Sequence, residues 1–113
     1  MSRTTPYRQS LLNALQDPAE ASAYLNAALD DYPKAFLKAL KNVAQARQMT
    51  RVAKDAGIQR ETLYRSFSGQ GNPTFETLSS VLEALGMKLS IVLDSADASA
   101  DHVLHVRKRN SEN

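Results

Sequence analysis

The residue types best suited to act on a partner are concentrated in Gln59–Arg65, which reads QRETLYR. With Leu63 and Phe67 turned inward, 100° steps along a helix put Arg60, Glu61, Tyr64 and Arg65 on one outward arc. Arginine can bond bidentately to a guanine edge in the major groove, and glutamate can accept from a cytosine amine. A helix entering that groove by its N-terminus would lead with Gln59, Arg60 and Glu61. Gln59, Arg60, Glu61, Tyr64 and Arg65 are therefore the candidate base-contacting residues. Arg47, Thr50, Arg51 and Lys54 stand just before them and suit phosphate contacts, which position a protein without reading sequence. Two competing readings stay open: Tyr64 packs at the edge of a core, and Glu61 pairs with Arg65 at helical spacing.

A reading helix has to be held at a steep angle to its support, and the segment Thr50–Gly69, TRVAKDAGIQRETLYRSFSG, has the residues for this. Two short helices joined by a turn of three or four residues need a small side chain where they cross, and Ala53 is placed there. The turn needs a left-handed residue four positions on, which is Gly57. Ile58 plugs the space beneath, Leu63 anchors the second helix, and Val52 and Phe67 complete a small core. These offsets together describe a helix-turn-helix, with an ordinary helical hairpin as the structural alternative.

Charge placement favours a polyanion as partner. The chain of 113 residues carries a net charge of only +2, yet residues 34–65 hold eight basic side chains against Asp55 and Glu61, a local net of +6. The flanking segments 1–33 and 66–113 are each net −2. A basic block of this kind is the electrostatic footprint of nucleic acid, though a solvated helix face also produces one. The composition excludes other classes. There is no cysteine, hence no disulfide, thiolate chemistry or cysteine zinc site. No Gly-rich phosphate loop, and no His set beside a carboxylate and a nucleophile, points to an enzyme. His102 and His105 have helical spacing but no third ligand, so neither metal nor cofactor is expected. The start, MSRTTPYRQSLLNALQ, has no secretory pattern, and no stretch reaches the ~18 apolar residues of a membrane span. A soluble cytoplasmic protein is expected.

The elements read as all-α with one C-terminal β-strand. Residues 1–16 form an N-terminal arm with room for a short helix over Ser10–Gln16. Asp17-Pro18-Ala19-Glu20 starts a helix to about Leu29, combining a side-chain cap, Pro at the first turn and a capping-box Glu. A second helix should run from Pro33 to about Arg47, with Phe36, Leu37, Leu40, Val43 and Ala44 as its apolar stripe. Arg51–Ala56 follows with Thr50 as cap, then Arg60–Phe67, then the loop SGQGNP, then Phe75–Leu85 capped by Thr74. Met87, Leu89, Ile91 and Leu93 alternate as in a strand. A lone strand leaves its backbone unsatisfied, so Leu89, Ile91 and Leu93 are the candidate interface of a two-fold homodimer, with reading helices ~34 Å apart. The domain is expected over residues 17–93, with its helix-turn-helix at 50–69, and residues 94–113 as a flexible tail.

The four helices from Pro33 to Leu85 resemble the lambda-repressor-like helix-turn-helix domain. More narrowly, the DPAEA start, AYLNAAL, LYRSFSGQGNPTFETL and the ending GMKLSIVL resemble the probable addiction module antidote proteins, a HigA-related group of antitoxins. The resemblance covers residues 17–93. It implies autorepression of an operon through binding of its own promoter as double-stranded DNA. It also implies neutralisation of a small RelE-like toxin by direct binding. Gln59 departs from the pattern, since such recognition helices usually begin with Ser or Thr. Two readings compete with this one: a stand-alone phage-like repressor without a toxin, and a toxin-binding module with no role on DNA.

Overall fold

A computed structural model describes residues 5–68 and 70–94. Among them are six helices: α1 Pro6–Ala14, α2 Pro18–Leu29, α3 Pro33–Ala46, α4 Met49–Ala56, α5 Arg60–Ser66 and α6 Phe75–Ala84. Three begin as a capping argument requires. Thr5 Oγ1 accepts from the Arg8 amide, Asp17 Oδ2 from that of Glu20 and Thr74 Oγ1 from that of Thr77, each at 3.1 Å. Each bond satisfies one of the first-turn N–H groups that have no partner inside the helix. Pro6, Pro18 and Pro33 each occupy the first turn of a helix, where the missing N–H costs nothing.

Helix α3 organises the rest. Its stripe of Phe36, Leu40, Val43 and Ala44 is buried, and α1, α2 and α4 all pack against it. Helix α4 carries the structure onward, packing against both α5 and α6. Leu63, Phe67, Val81 and Leu82 close the same core from α5 and α6. No helix among the described residues is long and apolar enough to cross a membrane.

Three elements differ from the sequence reading. The N-terminal helix spans Pro6–Ala14 instead of Ser10–Gln16, because Thr5 and Pro6 supply a cap and a first turn. Leu11 and Leu12 pack on the core behind it, and Leu15 is buried. Helix α4 starts at Met49, so Thr50 lies inside its first turn and is not the cap. Burial of the Met49 side chain draws the helix start back, and Gln48 takes the cap position at φ 73°, ψ 97°. Finally, no strand forms among the described residues. Met87 packs against the core, but beyond it the expected strand has no second strand among the described residues to pair with.

The backbone at Gln48 is in a region that side chains with a Cβ occupy at a cost of about 1–3 kcal/mol. Gln48→Gly is expected to stabilise the protein by ~1 kcal/mol, raising Tm by a few degrees in a thermal melt. A lowered Tm would mean that the Gln48 side chain contributes more than its backbone strain costs.

Candidate nucleic-acid interface

The site is built on two short helices, α4 and α5, joined by Gly57, Ile58 and Gln59. Helix α4 ends because Gly57 turns left-handed, at φ 73°, ψ 32°. The turn is closed by two bonds, Gly57 N–H to Lys54 O at 3.1 Å and Ile58 N–H to Ala53 O at 2.9 Å. They satisfy two carbonyls that the helix end would otherwise leave open. Ala53 is buried at the junction, Ile58 packs beneath the turn, and Leu63 and Phe67 are almost wholly enclosed. Helix α5 has its register set by these two anchors. Its cap residue Gln59 makes no side-chain capping bond, which follows from the missing Ser or Thr at that position.

With that register, Arg60, Glu61 and Arg65 are exposed on the outer side of α5, and Gln59 is exposed before it. Tyr64 is different. It is half-buried, packs against the core edge and lies close to α3. The Arg60 guanidinium stands 5.3 Å from the centre of its ring and Lys41 Nζ 5.8 Å, both within cation–π range. Gln45 Nε2 donates to the Tyr64 hydroxyl at 3.5 Å, a long hydrogen bond. This bond is the largest influence holding the phenol below its ordinary pKa; burial opposes it, and a hydrogen bond from Arg60 and the charges of Arg60 and Lys41 reinforce it.

On α4, Thr50, Arg51 and Lys54 are exposed. Arg51 Nε lies 3.6 Å from Asp55 Oδ2, one helical turn on, and both side chains are largely in solvent. Such a pair contributes little in water, so Arg51 can exchange it for another anion at small cost. Arg47, at the C-terminal end of α3, is half-buried, and its Nε and Nη2 are enclosed without a hydrogen-bond partner. At the far end of α5, the loop presses on the helix. A Cβ on Gly71 would overlap the carbonyl oxygens of Arg65 and Ser66, so only glycine lets the loop lie this close.

The candidate dimer residues lie elsewhere. Ile91 is 96% exposed and Leu93 89%, while Leu89 is partly covered at 39%. Leu89 and Met87 border a depression of about 440 Å³ shared with Phe75, Ser79 and Glu83 of α6. No group of His, Cys, Asp and Glu among the described residues could hold a metal. His102 and His105 lie outside the described residues.

Sequence reasoning missed Arg8 and Gln45, which meet at the junction of α1 and α3, next to Tyr64. The signal available was Asn42 and Gln45, two amides spaced three apart on a helix whose other positions are apolar or cationic.

A family model described as "Probable addiction module antidote protein" matches residues 7–93. The chain belongs to this family. The matched span begins inside α1, ahead of the Asp17 start on which the resemblance rests. The chain is also 44% identical over 78 residues to an uncharacterised protein of Haemophilus influenzae, covering 68% of this chain and 80% of that one. No solved structure matches. Membership implies a toxin as partner, since an antidote acts by opposing one.

Replacing Gly71 by Ala is expected to force the loop off the end of α5 and destabilise the protein by about 1–3 kcal/mol. Urea unfolding measures it; a midpoint equal to that of the native chain would show that the loop is not clamped there.

Proposed function

We propose that this chain is a sequence-specific DNA-binding autorepressor and the antitoxin of a toxin–antitoxin pair. It would act in the cytoplasm as a binding protein without catalysis, and neutralise a small RelE-like toxin by direct contact. The carrying observation is the exposure of Arg60, Glu61 and Arg65 on a helix whose other face is locked by Leu63 and Phe67. In this reading α3 to α6 form a lambda-repressor-like helix-turn-helix unit, and α5 enters the major groove. Gln59, Arg60, Glu61 and Arg65 meet base edges, with Tyr64 behind them, while the exposed Thr50, Arg51 and Lys54 of α4 take phosphates; Arg47, whose Nε and Nη2 are enclosed, is poorly placed to join them. The net +6 of residues 34–65 supplies the attraction to a polyanion. Two copies join through Leu89, Ile91 and Leu93, whose side chains are exposed and whose backbone belongs to no helix or strand, so that it could pair with a second copy.

A gel shift with the DNA upstream of the gene tests this reading. Binding should fall steeply as salt rises, because several phosphates are neutralised. Arg60→Ala should cost about 1–3 kcal/mol on the preferred site and relax sequence preference, whereas Lys54→Ala should weaken all duplexes alike and reduce the salt slope by about one. Failure of the native protein to shift that DNA would overturn the proposal. So would failure to bind the product of a toxin-like reading frame beside the gene, as far as the antitoxin role is concerned. Ile91→Asp should lower the mass seen by light scattering from dimer to monomer; a native protein that is already monomeric with and without the DNA would remove the interface.

A further inference from the structure

The side chains between α1 and α5 form one hydrogen-bonded chain with a defined polarity. Arg8 on α1 donates from Nη1 to Asn42 Oδ1 at 3.1 Å and from Nη2 to Gln45 Oε1. Both amides belong to α3 and lie about one turn apart. A guanidinium has five N–H donors and no acceptor, so only the oxygen ends of the amides can face it. Without such a cation, a side-chain amide can turn over at little cost, because its two ends are nearly the same shape. Held by Arg8, both amides present their nitrogens on the other side. Asn42 Nδ2 donates to the Tyr24 hydroxyl at 2.8 Å, and Gln45 Nε2 to that of Tyr64 at 3.5 Å. Each phenolic oxygen is thus an acceptor within the protein, and its own hydrogen is left to donate to something else.

At Tyr64 the surroundings select what that can be. Arg60 from its own helix and Lys41 from α3 both stand over the ring, so an acceptor arriving there is favoured if it is anionic. A phosphate oxygen accepts hydrogen bonds, carries charge and occurs along every nucleic-acid backbone. We propose that Lys41 and the Tyr64 hydroxyl together hold one phosphodiester oxygen of bound DNA, and that Arg8, acting through Gln45, is the positioning residue that keeps Tyr64 a donor. The site rests on the DNA-binding reading above and gives Tyr64 a backbone contact instead of a base contact. Arg60, which stands over the ring and also hydrogen-bonds toward the hydroxyl, would have to release that contact to reach a base edge. The lowered pKa of Tyr64, set first by the Gln45 N–H, has the direction this polarity requires.

Two conservative variants test it. Tyr64→Phe keeps the ring under Arg60 and Lys41 and removes the hydroxyl; Arg8→Met keeps the stem and removes the guanidinium. Affinity is measured for the duplex upstream of the gene and for an unrelated duplex of equal length. Each variant should weaken both duplexes roughly five-fold, the net worth of one hydrogen bond, and leave their ratio unchanged. The double variant should be no weaker than Tyr64→Phe alone, since Arg8 acts only through that hydroxyl. Losses that multiply, to about 25-fold, would overturn the relay. A change in the ratio would overturn the phosphate assignment.

A second readout needs no DNA. The Tyr64 ring signal, assigned by its absence in Tyr64→Phe, is titrated by NMR. In Arg8→Met the Gln45 amide can turn its oxygen to the phenol, so the Tyr64 pKa should rise; an unchanged pKa would overturn the role of Arg8. If Arg8→Met fails to fold, Gln45→Met carries both tests with the same expectations. If the native protein binds neither duplex, the DNA-binding reading fails and the phosphate site fails with it. The Tyr64 titration then still decides whether Arg8 sets the polarity of the chain.

Discussion

Helix α3 buries Phe36, Leu40, Val43 and Ala44 on one face, and α1, α2 and α4 each find their apolar partner there. Such small helices are not stable alone in water: below ~12–15 residues, nucleation costs more than propagation returns. At 14 residues α3 is the longest of the six, and the others range from 7 to 12. Each shorter helix therefore owes its existence to the core that α3 organises. The dependence is strongest for α5, which has 7 residues and no side-chain cap. Leu63 and Phe67 hold it from beneath, and Gly71 closes on its last carbonyls. Arg60, Glu61 and Arg65 consequently project from a helix fixed at three points, which limits the entropy lost when they engage a partner.

The same helix has a second edge that does electrostatic work. Asn42 and Gln45 of α3 receive both arms of the Arg8 guanidinium and pass hydrogen bonds to Tyr24 of α2 and Tyr64 of α5. Four helices are thereby tied through polar groups at the rim of an apolar core. Partly buried bonds to a charged group are worth more than neutral ones and are directional, so they fix rotation where apolar packing mainly fixes distance. The arm that sequence reading sets apart from the domain is joined to it by these contacts, and by Leu11, Leu12 and Leu15.

What could be read from the sequence was local. Thr5 aside, the caps at Asp17 and Thr74, the left-handed Gly57 and the inward set of Ala53, Leu63 and Phe67 depend on neighbours within a few residues, and periodicity exposes them. The misreadings arise where distant residues decide. Thr50 is a good cap by type, but burial of Met49 in the core moves the helix start ahead of it. Met87 to Leu93 has a strand's alternation, but pairing needs a second strand, and none forms among the described residues. Arg8 and Gln45 are 37 residues apart, and no local pattern announces that they meet. Tyr64 was legible only as an alternative, outward or at the core's edge, because its position on the arc allows both; contact with Gln45 and Lys41 draws it toward α3.

The balance of charges follows from the same geometry. A chain with a net charge of +2 gains little long-range attraction for a polyanion, but a local +6 held on packed helices creates a directed field. Compensating acids could cancel that field only by standing close to the cations. Asp55 does so for Arg51, at 3.6 Å and largely in solvent, where screening leaves the pair weak and exchangeable. Arg60 and Lys41 instead each stand over the neutral ring of Tyr64, which orients both cations without neutralising either. An aromatic ring thus does at this junction what a carboxylate could not: it fixes the position of two positive groups and leaves their charge available to an incoming anion.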